Sequence, residues 1–113
     1  MNQIPEPKQI IFYQDKRGNI PYKKWFNALG DTKGRRILFR RLRQLEQGHY
    51  GDCEPVGEGV SELRVFFGPG YRVYFAEPES NLILVLCAGT KDTQSKDIRN
   101  AKRYWREFKN HEA

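Results

Sequence analysis

The sequence is poor in the residues that hold metals and disulfides. Its 113 residues include two cysteines and two histidines. Cys87 ends an apolar run and reads as a small core residue, whereas Cys53 sits in a polar stretch. Without paired Cys/His spacing a zinc site is not expected, and the simplest compartment is a reducing cytoplasm. Long apolar runs are missing too. The longest, Leu82 to Ala88, has seven residues, against the ~20 that span a bilayer. Met1 to Glu6 lacks the basic-then-apolar layout of a secretory signal. No internal repeat, low-complexity segment, Ser-His-Asp arrangement, P-loop or metal-type carboxylate cluster is visible. His49, after Gly48, reads as an exposed loop residue, with a catalytic role as the lesser alternative; His111 lies in the tail. Glu54, Glu58 and Glu62 offer a general base, but none has an identifiable partner.

Acid is the scarcer charge. There are 14 Asp plus Glu against 20 Lys plus Arg, a formal net charge of +6. A basic domain expects an anionic partner: nucleic acid first, then a membrane surface, then an acidic protein. Apolar residues make up 38%, with seven Phe, six Tyr and two Trp. One domain of this size, residues 1–113, holds a core without metal or disulfide staples.

Along the chain, residues 1–8 read as a loose lead-in and 109–113 as a tail. Gln9 to Gln14 is β-branched and aromatic, which predicts a strand; Asp15 to Asn19 is a turn. Pro21 suits the first turn of a helix running to about Leu29, with Gly30 as its stop. Asp31 or Thr32 caps a second helix, about Lys33 to Gln47. Leu38, Leu42 and Leu45 form its buried stripe, and Arg36, Arg40 and Arg43 repeat that spacing on the opposite side. Gly48 to Gly59, with four glycines and Pro55, reads as loop. The period then changes to two. Leu63, Val65, Val73 and Phe75 form the core face of a hairpin closed by Gly68-Pro69-Gly70, with Phe67 opposite Tyr71 and Arg64 opposite Tyr74. Leu82 to Cys87 is apolar on both faces and predicts a central strand covered on both sides. A polar loop, Gly89 to Gln94, leads to a last helix striped by Ile98, Ala101, Trp105 and Phe108. The predicted class is α+β: an N-terminal strand and a three-strand meander in an antiparallel sheet, two N-terminal helices packed on it, and a C-terminal helix.

The second face of the hairpin carries the chemistry. Arg64, Phe66, Arg72 and Tyr74 alternate cation with aromatic across two strands. Guanidinium groups match phosphate bidentately, and rings stack on unpaired bases. The pattern suits single-stranded nucleic acid; a solvated sheet face is the plain alternative. Residues 32–50 add six Lys or Arg against the single acid Glu46, a field that draws in polyanions, although each side chain alone reads as a solvated helix face. Lys91 follows the central strand, where loops often carry functional groups; the alternative is an ordinary turn lysine.

Gly57-Glu58-Gly59-Val60-Ser61-Glu62-Leu63-Arg64, then Gly68-Pro69-Gly70-Tyr71-Arg72-Val73-Tyr74-Phe75, resembles the hallmark of phage-derived addiction-module killer proteins of the RelE/HigB/ParE toxin superfamily. Lys91, Thr93-Gln94 and Lys96-Asp97-Ile98 with Ala101 and Trp105 are similar to that family's C-terminal signature. The resemblance covers about residues 9–108. Members often have Gly-Gly-Asp-Lys-Ser-Thr-Gln where this chain reads Ala88 to Gln94, and a lysine where it has Glu54.

The resemblance implies a RelE-like toxin fold and a metal-independent, ribosome-dependent mRNA endonuclease. It implies no cofactor and a cognate helix-turn-helix antitoxin as partner, with mRNA on the ribosome as the target. By similarity Arg72 contacts the scissile phosphate, and Lys91 lies in the loop that supplies further catalytic groups. Arg64 joins them from its side of the hairpin. Phe66, Tyr71, Tyr74, Arg36, Arg40 and Arg43 are the expected RNA contacts. The same resemblance admits a ParE-like inhibitor of DNA gyrase or a non-catalytic nucleic-acid binder.

Overall fold

The computed structural model describes residues 6–112. In chain order the elements are β1 (Gln9–Phe12), α1 (Pro21–Ala28), α2 (Thr32–Glu46), β2 (Cys53–Gly57), β3 (Val60–Val65), β4 (Tyr71–Glu79), β5 (Leu82–Thr90), a 3-10 turn (Lys91–Thr93) and α3 (Gln94–Glu112). Five strands form one sheet in the order β1-β5-β4-β3-β2. β1 runs parallel to β5 and the other pairs are antiparallel. The class is α+β as predicted, but the sheet is mixed rather than antiparallel.

Both N-terminal helices form where the sequence places them. Pro21 occupies the first turn of α1, where its missing N–H costs nothing. The Asp31 side chain caps α2, accepting from the Gly34 N–H at 2.9 Å. Leu38 and Leu45 of α2 are fully buried against Leu63, Val73, Phe75 and Val85 of the sheet, with Tyr22 of α1. α3 covers the other face. Its Ala101 and Trp105 pack on Tyr74, Ala76, Leu84 and Leu86. β5, between β1 and β4, is buried on both faces as its apolar run requires.

The structure corrects further sequence expectations, among them the expected loop Gly89 to Gln94, which is the end of β5, the 3-10 turn and the start of α3. The earlier stretch read as loop, Gly48 to Gly59, contains β2, whose register slips at a bulge between Pro55 and Gly57. Pro and Gly argue against an interior strand, but an edge strand tolerates both, and β2 is an edge. The hairpin register is shifted by two residues: Val65 faces Tyr71 and Arg64 faces Arg72. An even shift preserves both faces, so the core face stands. Phe66 and Phe67 now belong to the connection, closed by the Gly70 N–H donating to the Phe67 carbonyl at 3.0 Å. The lead-in is tied down at Lys8, whose N–H donates to the Glu46 carbonyl at 2.7 Å; residues 1–5 lie outside the described residues. The expected tail is helical as far as Glu112.

Candidate functional site

The α3 side of the hairpin holds a polar cluster inside an otherwise apolar layer. Strand alternation puts Glu62 and Arg64 of β3 on one face with Arg72 and Tyr74 of β4. Among the described residues, Glu62 and Arg72 are the buried charged side chains, 2% and 7% exposed. One carboxylate oxygen of Glu62, Oε2, accepts from the Tyr74 hydroxyl at 2.9 Å and from Gln94 Nε2 at 2.8 Å. The other, Oε1, lies 4.0 Å from Arg72 Nε, an ion pair too long for a hydrogen bond. Arg72 Nε and Nη1 therefore have no hydrogen-bond partner among the described residues.

Desolvated, unpaired guanidinium N–H groups are costly, and such orphans call for an explanation, a missing ligand among them. The surroundings suit an anion. Phe66, 77% exposed, lies with its ring 5.9 Å from the Arg72 guanidinium carbon. Lys91 is exposed, and its N–H donates to the Gly70 carbonyl at 2.8 Å, which fixes it at the hairpin connection. Opposite Arg72 on β5 stands Gly89. A Cβ there would fall 1.8 Å from the Asp97 carboxylate, so glycine is what lets α3 close over the strand. Burial raises the Asp97 carboxyl above the usual carboxylate range while the Thr93 hydroxyl donates to it.

The predicted site residues divide into three groups. The Arg72 guanidinium lies beside the Phe66 ring, and the Lys91 backbone joins the hairpin connection at Gly70. Arg64 faces Arg72 across the ladder but is held by Asp52 at 2.8 Å and Glu54 at 2.9 Å, which raise its affinity for its proton. The edge strand β2 and the turn before it supply both acids, so Arg64 is a structural ion pair. Tyr71 and Tyr74 are not open base platforms. Tyr71 points to the α1/α2 core, 2% exposed, edge-on to Trp25. Its hydroxyl donates to Asp31 at 2.6 Å, and burial with that carboxylate pushes it up to about 12. Tyr74 is fully buried under α3, and burial raises its pKa above the ordinary phenol range. Both corrections have one cause: each sheet face already has a helical layer on it.

Arg36, Arg40 and Arg43 form the third group. They lie on the outer side of α2, in the layer across the sheet from Arg72, and line a groove of about 660 Å³. His49 is exposed. Sequence reasoning quoted Gln94 and Asp97 within the C-terminal signature without giving either a role, and left Glu62 without partners. The signal for Glu62 was present: alternation puts it on Tyr74's face, and the stripe of α3 needs that same face.

Among the described residues no group of three or more His, Cys, Asp or Glu is placed to hold a metal ion, and no helix is long and apolar enough to cross a membrane. No family model matches the chain. A Haemophilus influenzae protein described as "Uncharacterized protein" is 36% identical to it over 83 residues, which make up 74% of this chain and 84% of that protein. With that identity over most of both lengths, the chain belongs to one family with the Haemophilus influenzae protein.

Proposed function

We propose that this chain is the toxin half of a toxin–antitoxin pair, with a RelE-like fold and membership of the phage-derived killer proteins of the RelE/HigB/ParE superfamily. It acts in the cytoplasm as a metal-independent endoribonuclease on ribosome-bound mRNA, and a helix-turn-helix antitoxin restrains it. The observation that carries this reading is the Arg72 guanidinium, 7% exposed, with Nε and Nη1 unpaired beside the exposed Phe66.

In the reaction the 2′-hydroxyl of one nucleotide attacks the adjacent phosphorus. The bond to the leaving 5′-oxygen breaks as the new P–O bond forms, leaving a 2′,3′-cyclic phosphate; water takes the 2′-hydroxyl proton and returns one to the 5′-oxygen. Arg72 neutralises the charge that grows on the phosphoryl oxygens. Lys91 binds the neighbouring phosphate, and Phe66 swings from the guanidinium to stack on a base. Arg64 stays with its acids and takes no direct part. A gyrase inhibitor of the ParE kind is the second reading. The ion pairing of Arg64 favours it, because that pairing removes one cation from the face.

The test is inducible expression of wild type and Arg72→Ala with mapping of mRNA 5′ ends. Losing one transition-state donor of this kind lowers the rate ~10²–10³-fold, so the variant should leave mRNA nearly intact. Full cleavage by Arg72→Ala removes Arg72 from the mechanism. Intact mRNA with DNA damage in cells expressing wild type selects the gyrase inhibitor.

A further inference from the structure

The polar cluster under α3 contains an ion pair that stops short of contact. Glu62 and Arg72 are both buried, yet Glu62 Oε1 stands 4.0 Å from Arg72 Nε. An approach of about 1 Å would turn that spacing into a charge-assisted hydrogen bond. Leaving such a bond unmade between buried partners is costly, so something holds the carboxylate back. Two tethers do. The Tyr74 hydroxyl donates to Glu62 at 2.9 Å and Gln94 Nε2 at 2.8 Å. Both bonds fall on Oε2, whereas Oε1 is the oxygen paired with Arg72. The tethers come from different elements. Tyr74 is the cross-strand partner of Glu62 on β4 and is fully buried, which makes its hydroxyl a fixed point. Gln94 opens α3, and its backbone N–H donates to the Lys91 carbonyl, so the second tether is joined to the turn that carries Lys91.

We infer that Tyr74 and Gln94 are positioning residues: they hold the Glu62 carboxylate off the Arg72 guanidinium, so that its N–H groups stay free for a phosphate of the bound RNA. The inference rests on the reading of Arg72 as the phosphate contact. Held at this spacing, Glu62 balances a buried cation without bonding it, and a buried cation left with no counter-charge is strongly destabilising. A closed pair would occupy the Nε–H, and an incoming phosphate would then have to displace a carboxylate. Packing under α3 accounts for the burial of Tyr74. It does not account for two donors converging on one carboxylate oxygen while the cation beside the other goes unbonded.

The experiment uses the full chain, isotopically labelled at the arginine nitrogens. Inorganic phosphate is titrated in while the Arg72 Nε–H resonance is followed by NMR, and the signal missing from Arg72→Ala assigns it. In wild type phosphate should shift this signal. In Tyr74→Phe with Gln94→Ala the carboxylate loses both tethers and closes on Arg72. The Nε–H signal should then move downfield before any phosphate is added. Phosphate affinity should fall at least ~10-fold, the size of one charge-assisted hydrogen bond. Adding Glu62→Met should restore the affinity, because it removes the group that closes. Circular dichroism checks that each variant stays folded. Gln94→Ala alone, at a half-buried side chain, should give a smaller change in the same direction and replaces the double variant if that one unfolds. An unchanged signal and affinity after release of the tethers overturn the inference. So does a loss that Glu62→Met fails to restore, which is what a merely structural role gives. A downfield shift on release, with no phosphate response in wild type, upholds the spacing and overturns instead the reading of Arg72 as the phosphate contact.

Discussion

The two faces of the sheet are built from alternate residues of the same strands, yet they solve different problems. Toward α1 and α2, Leu63, Val73, Phe75 and Val85 meet Leu38 and Leu45, with no buried charge among the described residues. Toward α3, Glu62, Arg72 and Tyr74 sit among Leu84, Leu86 and Ala101. Burying an apolar side chain contributes ~1.5–3 kcal/mol; burying a guanidinium with two unpaired N–H groups costs free energy. The first face does what folding requires, apart from the buried Tyr22 hydroxyl, which has no hydrogen-bond partner among the described residues. The second departs from it at the residues gathered around the hairpin connection, and functional sites are where such local inconsistency is expected.

The comparison breaks most readily at Leu38. It is fully buried at the centre of the α2 contact. Leu38→Ala should cost about 2–5 kcal/mol through lost transfer energy and the cavity left behind, read as a lower midpoint in urea denaturation. The polar face should respond differently. Replacing both members of the long ion pair, Arg72→Met with Glu62→Gln, removes two buried charges and the orphaned N–H groups. Well-packed hydrophobic replacements of buried pairs are often neutral or stabilising; Glu62→Gln keeps the oxygen that accepts from Tyr74 and Gln94 but buries an amide NH2, so the double variant should lose less stability than Leu38→Ala does. If it loses as much as Leu38→Ala, the α3 face is a stability core, and the orphaned guanidinium no longer points to a ligand.

Much of the apolar face was legible in the sequence because periodicity reports burial directly. Leu38, Leu42 and Leu45 mark a helix stripe, and Leu63, Val65, Val73 and Phe75 mark a strand face that survives even a wrong hairpin register. β2 was not legible: Pro55 and Gly57 carry loop chemistry, and only the edge position makes them compatible with a strand. The α3 face was misread for a different reason. Alternation assigned Tyr74 and Arg72 to the second face correctly but could not say what covers it. The covering helix was identified by Ala101 and Trp105, and an apolar stripe has to bury itself against something. Joining those two facts would have placed Tyr74 inside and left Phe66 as the exposed ring. Arg64 was misjudged because its partners, Asp52 and Glu54, come from the very stretch read as loop.

The smallest expected effect sits where the apolar face admits one polar contact. Asp31 caps α2 and also accepts the Tyr71 hydroxyl, and these two donors hold its carboxyl below the usual carboxylate range, the Tyr71 bond first. The native state therefore binds that proton less readily than the unfolded chain does. Asp31 contributes stability at pH values above the ordinary carboxylate pKa of about 4, and that contribution disappears as pH falls through its lower folded value. Asp31→Asn cannot ionise and keeps one acceptor oxygen, enough for the Gly34 N–H that Oδ1 now accepts; its amide nitrogen, in the place of Oδ2, can only donate to the Tyr71 hydroxyl oxygen, much as a protonated carboxyl would. Its urea midpoint should fall slightly below that of wild type at neutral pH, and the two curves should converge in acid. A gap of constant size down to low pH would mean that the carboxylate charge contributes nothing and that Asp31 acts only as a neutral acceptor. The cap would then belong with the apolar packing around it rather than stand as its one electrostatic exception.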